Sequence, residues 1–295
     1  MRVAVIGLGG VGGYLAANLA KTKNEIVGFA RGAHLAKIQS DGIQIIEDEK
    51  SWSAKFEAKE PREAEGIFDC VLFCVKSYDL EDAYIKIAPF INASTILLSF
   101  SNGVSNGEFL RKMSNAIVLD ACVYILSHQE SAGIIRKKGK VFFAVFGGDA
   151  KATQRVKELF DAAELRNKTP QDIKKEIWKK YIFISAFATL TTYYDKSIYS
   201  VWAEQKEETE RLLREIASVA KAEGINIFDE IAKAMEIAST LPHDASTSMH
   251  LDFTNKKRNE LKTLSEYIVE EGEKRGLETP LMKQMYEALL RRDKA

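Results

Sequence analysis

Near its start the chain runs from an apolar strand pattern, RVAVIG (2–7), into glycines at Gly7, Gly9 and Gly12, the spacing G-x-G-x-x-G. It then enters VGGYLAANLAKT (11–22), where Val11, Leu15 and Leu19 recur at helical intervals. A glycine cluster alone marks only a tight turn. Between a strand and a helix it has the context of a dinucleotide-binding turn. Gly7 permits the turn, Gly9 lets backbone approach a pyrophosphate, and Gly12 lets the helix pack on the strand. The run Gly7, Leu8, Gly9, Gly10, Val11, Gly12 thus offers phosphates the amides and positive dipole of a helix N-terminus.

The rest of the first half continues that rhythm. EIVGFA (25–30) reads as a second strand, followed by a helix from about His34. Further strands are expected at DCVLFCV (69–75), TILLSFS (95–101) and AIVLDACVYI (116–125). Buried runs between helices argue for a parallel sheet with crossover helices. Residues 131–148 read as hairpin strands with Lys137–Lys140 as the turn, and 149–165 as a helix. After Asn167 no convincing strand remains, and long helices are expected at 172–194, 207–224 and 261–276. The predicted fold is an α/β Rossmann-type dinucleotide-binding domain, residues 1–168, followed by an all-α domain, 169–295, divided at the turn-prone segment ending in Pro170.

Which dinucleotide is decided on the second strand. An NAD-specific site places Asp or Glu about twenty residues past the glycines to accept from the ribose 2′-OH. This chain has Phe29, Ala30 and Arg31 there. No carboxylate is offered, and the planar fork of Arg31 suits a 2′-phosphate. NADPH/NADP+ is therefore the expected cofactor. Ligands of open α/β sheets bind at the carboxyl ends of strands. Lys76 directly follows the third strand and could meet cofactor or substrate charge. Asn102 directly follows the fourth and could hydrogen-bond ribose or substrate.

The bulk properties exclude other classes. Lys+Arg and Asp+Glu both number 42, so no basic excess offers a broad hold on nucleic acid or an anionic membrane. The longest apolar stretch, YIFISAFATL (181–190), is about half of what a bilayer span needs. Cys70, Cys74 and Cys122 form no zinc spacing or C-x-x-C pair, and no metal is expected. Cys70 and Cys74 read as buried thiols in a reducing compartment, and with no signal peptide a cytoplasmic location is expected. His34, His128, His243 and His250 read as surface or structural residues, and Trp52, Trp178 and Trp202 as packing. The amphipathic helices could close a monomer core or form a homodimer.

Over nearly its whole length the chain resembles the 2-dehydropantoate 2-reductase (ketopantoate reductase) family. The resemblance rests on GLGGVGG at 7–13, Arg31, VKSYD at 75–79, SNG at 101–103, IWKKY at 177–181, and STSM at 246–249 followed by Glu260. It implies NADPH-dependent reduction of an α-keto acid, 2-dehydropantoate, to pantoate in pantothenate biosynthesis. It further implies that Lys180 acts as general acid, and that Ser248, immediately before Met249, and Glu260, twelve residues beyond Ser248, contact substrate. Lys180 would supply charge and a proton to the carbonyl oxygen as hydride arrives. Glu260 would accept from the substrate hydroxyl, and Ser248 would donate to the carboxylate. Twelve residues of one straight helix span about 18 Å. A break between Ser248 and Glu260 is therefore expected, around Thr254–Lys257.

One departure bears on the substrate. Many family members carry asparagines four and eight residues after the lysine, where this chain has Ile184 and Ala188. Ser185 and Thr189 lie about 100° round the helix from those positions and are poor direct substitutes. Two alternatives follow: an NADP-dependent dehydrogenase or imine reductase of the same fold acting on another small acid, and a non-catalytic NADP-sensing module.

Overall fold

The computed structural model describes residues 1–293. Two compact units emerge: residues 1–101 with 105–173, and 174–293 together with Asn102–Val104.

In the first unit, ten strands form one sheet among the described residues. In chain order the elements are β1 (Arg2–Ile6), α1 (Gly10–Leu19), β2 (Glu25–Phe29), α2 (Gly32–Asp41), β3 (Ile43–Glu47), β4 (Lys50–Ala54) and β5 (Glu57–Lys59). There follow β6 (Cys70–Phe73), α3 (Leu80–Ile87), β7 (Ile96–Ser99), α4 (Asn106–Met113), β8 (Ile117–Ser131), β9 (Ile134–Gly147), α5 (Ala150–Ala162) and β10 (Asn167–Lys168). The strand order is β4-β3-β9-β8-β7-β6-β1-β2-β5, with β10 beside β9. The steps from β5 to β8 are parallel. Central strands such as CVLF and ILLS are buried at every residue, as a sheet covered on both faces requires. One apolar cluster centres on Leu15, Leu72, Leu98 and Phe160; the other centres on Phe29, Phe68, Phe73 and Leu97.

The end of the sheet differs from the reading above. The β8–β9 turn is at Ala132–Gly133, not Lys137–Lys140. Gly133 takes φ +74°, which a glycine accommodates. Lys137 lies inside β9 and is only 4% exposed. Its ammonium reaches Glu47 Oε1 at 3.3 Å and donates to the Gly139 carbonyl at 2.7 Å. Register jumps from Ser127↔Lys137 to Ile125↔Phe142, so residues 138–141 bulge against one residue, Leu126. Lys137, expected in the turn, is instead held inside the strand by its ion pair to the half-buried Glu47. The β3–β4 hairpin, turning at Asp48 (φ +51°), and the short β5 and β10 add to the strands expected from the sequence.

The second unit is helical: α6 (Ile173–Tyr194), α7 (Ile198–Glu204), α8 (Lys206–Ala222), α9 (Glu230–Thr240), α10 (Ser248–Thr254), a π-helical segment Lys262–Glu266 running into α11 (Tyr267–Lys274), and α12 (Pro280–Asp293). Its core gathers Phe187, Leu190, Leu212, Ile216, Leu264, Ile268 and Met285. The expected break after α10 is present: Lys256 takes φ +53° and residues 257–260 are irregular. None of the described helices is long and apolar enough to cross a membrane.

Candidate active site

The β1–α1 turn is shaped by what each glycine must avoid. Gly7 sits at φ +89°, and its amide donates to the Phe29 carbonyl at 3.0 Å. A Cβ on Gly12 would lie 1.9 Å from the Gly7 carbonyl oxygen, and one on Gly10 would lie 2.4 Å from that of Ser127. Both positions are closed by packing. A Cβ on Gly9 would meet nothing within 4 Å. Gly9 is the N-cap of α1, so no side chain satisfies the first amides, and the first turn carries no acidic residue. Leu8 is buried at 1% exposure and Val11 half-buried, which anchors the turn from below. Open space over uncapped amides at a helix N-terminus fits a pyrophosphate.

The neighbouring strands end alongside. Cys74 N donates to the Ile6 carbonyl at 2.8 Å, and Phe100 N to that of Phe73 at 2.8 Å. Arg31, two residues beyond β2, is exposed and caps α2. Its guanidinium makes no hydrogen bond or ion pair among the described residues. Lys76 is half-buried and caps the turn at Ser77–Asp79. Cys70 is buried and Cys74 partly so. Burial pushes the Cys70 thiol up to about 12, and lifts that of Cys74 well above the thiol range. Neither is a thiolate near neutral pH.

In the helical unit three of the residues singled out come together. Lys180, on α6, donates from Nζ to Asn102 Oδ1 at 3.0 Å. Asn102 Nδ2 in turn donates to Glu260 Oε2 at 3.4 Å, long for a hydrogen bond. Glu260 is 1% exposed. A buried carboxylate is stable only where donors and a counter-charge answer it. The amide links it to the lysine ammonium while leaving both groups of the pair distinct. Ser248 stands at the start of α10, exposed, and its side chain makes no hydrogen bond among the described residues. It does not join the other three. Its neighbours hold the segment: Thr247 caps α10 and meets Thr191 Oγ1 at 2.9 Å, while His250 lies between Ser246 Oγ (2.7 Å) and Asp195 Oδ1 (2.8 Å).

Glu260 is set by a device that sequence reasoning missed. The helix following it opens as a π segment, whose wider winding displaces carbonyls from the α pattern. Side chains on α6 meet this segment. Tyr181 OH donates to the Thr263 carbonyl at 2.7 Å, and Ser185 Oγ to that of Leu264 at 2.6 Å. Thr189 Oγ1 meets Ser265 Oγ at 2.7 Å. These three lie at i, i+4 and i+8, one face of the helix. Ser185 therefore serves the backbone beyond Glu260 and Thr189 the Ser265 hydroxyl there, not the face of Ile184 and Ala188. Burial raises the Tyr181 phenol well above its ordinary range, so it remains a donor. A polar stripe inside the apolar run YIFISAFATL was the available signal.

Two family descriptions match the chain: "Ketopantoate reductase PanE/ApbA" over residues 3–147, and its C-terminal counterpart over 172–293. Among solved structures, a PanE/ApbA family ketopantoate reductase from Ralstonia eutropha JMP134 is 28% identical, covers 100% of this chain and 99% of its own, and superposes with a TM-score of 0.92. A 2-dehydropantoate 2-reductase from Porphyromonas gingivalis W83 is 31% identical over 98% of this chain and 99% of its own, with a TM-score of 0.86. A D-mandelate dehydrogenase, described in a ternary structure with NADH and anilino(oxo)acetate, shares the fold: TM-score 0.90 and 20% identity over 100% of this chain and 99% of its own.

Proposed function

Because the chain belongs to the ketopantoate reductase family, and so is an oxidoreductase using a nicotinamide dinucleotide, we propose that it reduces 2-dehydropantoate to pantoate with NADPH, as in pantothenate synthesis. The observation that carries this reading is the Lys180–Asn102–Glu260 chain, a proton donor and a buried acceptor joined through one amide.

The first unit, in this reading, binds the cofactor: the open backbone at Gly9 and Gly10 takes the pyrophosphate, Arg31 takes the 2′-phosphate, and Lys76 adds positive charge. The nicotinamide, when bound, supplies the hydride. Lys180 stabilises the charge growing on the C2 carbonyl oxygen and then donates its proton there. Asn102 holds the Lys180 ammonium until the carbonyl oxygen replaces the amide as acceptor. Glu260 accepts from the substrate hydroxyl, and Ser248 donates to its carboxylate.

A second reading is favoured by Ile184 and Ala188, one and two turns beyond Lys180 on α6. With apolar groups there, the same chemistry would suit a keto acid bearing an apolar side chain. A neighbour of like fold is a D-mandelate dehydrogenase. Steady-state assays of the purified protein, with NADPH and NADH against 2-dehydropantoate and a panel of branched and aromatic 2-keto acids, separate the readings. The first predicts the highest kcat/KM for 2-dehydropantoate with NADPH, and a selective loss of NADPH use in Arg31→Ala. Preference for an aromatic keto acid would favour the second, and equal or better use of NADH would overturn the cofactor assignment.

A further inference from the structure

The imidazole of His34 lies between two backbone groups of opposite kind. The Gly133 amide donates to Nδ1 at 2.9 Å, and Nε2 is 2.8 Å from the carbonyl oxygen of Leu8. An amide N–H can only donate and a carbonyl can only accept. Nδ1 must therefore be bare, and Nε2 must carry the hydrogen. The partners fix one neutral tautomer, which spends both ring nitrogens on backbone.

The position of Leu8 gives this bridge its meaning. The Leu8 carbonyl and the Gly9 N–H belong to one peptide unit, planar and trans, so they point in opposite directions. Fixing the carbonyl fixes the aim of the Gly9 amide, at the one glycine of the turn with open space above it. His34 is itself on the first turn of α2, three residues after Arg31, the N-cap. Its other partner, Gly133, is the β8–β9 turn, whose carbonyl accepts from Gln44 N at 2.8 Å on β3. One ring thus ties the glycine turn to α2 and braces both against the sheet.

We propose that His34 is a positioning residue for cofactor binding: it aims the Gly9 amide at the pyrophosphate and holds that amide in register with Arg31. The inference rests on the assignment of NADPH to the β1–α1 turn. It assigns the two halves of the ring different weights. The Nε2 bond to Leu8 acts on the cofactor, and the Nδ1 bond to Gly133 is bracing.

Three variants of the full chain separate those weights, read by fluorescence titration of NADPH and NADH and by kcat at saturating NADPH. His34→Ala is expected to weaken NADPH about tenfold, the scale of one positioned hydrogen bond, with kcat within about twofold and the preference for NADPH over NADH reduced. In His34→Gln the side-chain amide reaches towards the place of Nε2 and should recover most of the affinity. In His34→Asn the carbonyl oxygen replaces Nδ1 and should recover little. Affinity in His34→Ala within twofold of the parent, or equal recovery by asparagine and glutamine, would overturn the proposal. Should the alanine variant not fold, the comparison of the two amides decides alone. A parent protein that binds no NADPH would instead sink the cofactor assignment itself.

Discussion

Replacing Lys180 with alanine would take away the proposed donor to the carbonyl oxygen and also the ammonium that Asn102 links to the buried Glu260. The loss of a positioned general acid lowers kcat by about 10²–10⁴-fold. NADPH affinity should stay near that of the parent, and a fall in kcat of less than threefold would remove Lys180 from the role. The glycines make a sharper pair of predictions. Gly12→Ala must push a Cβ against the Gly7 carbonyl at 1.9 Å, so folding itself should suffer, with a lowered Tm. Gly9→Ala meets nothing in the protein, so Tm should be unchanged while NADPH affinity falls, because only the ligand needs that space. A Gly9→Ala variant that binds NADPH as tightly as the parent would place the pyrophosphate elsewhere. At this scale Gly7 and Gly12 were legible because each answers to a local steric demand, and Gly9 because the motif spacing places it between them. Lys180 and Glu260 were legible only through their order and separation along the chain. His34 was not, because its partners lie in segments 26 and 99 residues away.

Among the elements, the π segment after Glu260 is where local geometry and site meet. Ser185→Ala would leave the Leu264 carbonyl without its 2.6 Å partner in the core, at a cost of about 1–3 kcal/mol. Beyond that loss of stability, kcat/KM for the keto acid should fall, since Glu260 opens this helix, whereas the dissociation constant for NADPH should not move. A variant that is merely less stable, with unchanged kcat/KM for the keto acid, would show that the α6 hydroxyls hold the fold and not Glu260. The buried parallel strands β1, β2, β6 and β7 could be read as short apolar runs closed by turns, and α6 and α8 as helical repeats. The β3–β4 hairpin could not, because in KSWSA only Trp52 and Ala54 turn to the core and three of the five residues are Lys or Ser. The β8–β9 turn was misplaced because Ala132–Gly133 is a weak signal beside four residues rich in lysine. Only the structure shows Lys137 buried against Glu47.

For the whole molecule, the buried weak acids set a limit at high pH. Cys70 is pushed up to about 12 by burial, and burial also raises Tyr14, Tyr181 and Tyr267. The folded state thus favours their protonated forms. This contribution is fully present below the unfolded thiol value of about 8.5, and is lost as pH rises towards the folded values. Unfolding by urea should show a falling free energy from about pH 9 upward, less steeply in Cys70→Ala. A flat profile there would contradict the burial of these groups. At neutral pH Cys70 should resist thiol reagents until the chain unfolds.

The proposed activity requires hydride to pass from a bound nicotinamide to a carbonyl that Lys180 activates. The most direct test supplies NADPH carrying deuterium at the nicotinamide C4 hydride position, together with 2-dehydropantoate, and examines the pantoate by mass spectrometry and NMR. One deuterium at C2 for each NADPH consumed, formed about 10²–10⁴-fold more slowly in Lys180→Ala, is the expected result. Unlabelled pantoate, or cofactor consumed with no pantoate formed, would contradict it.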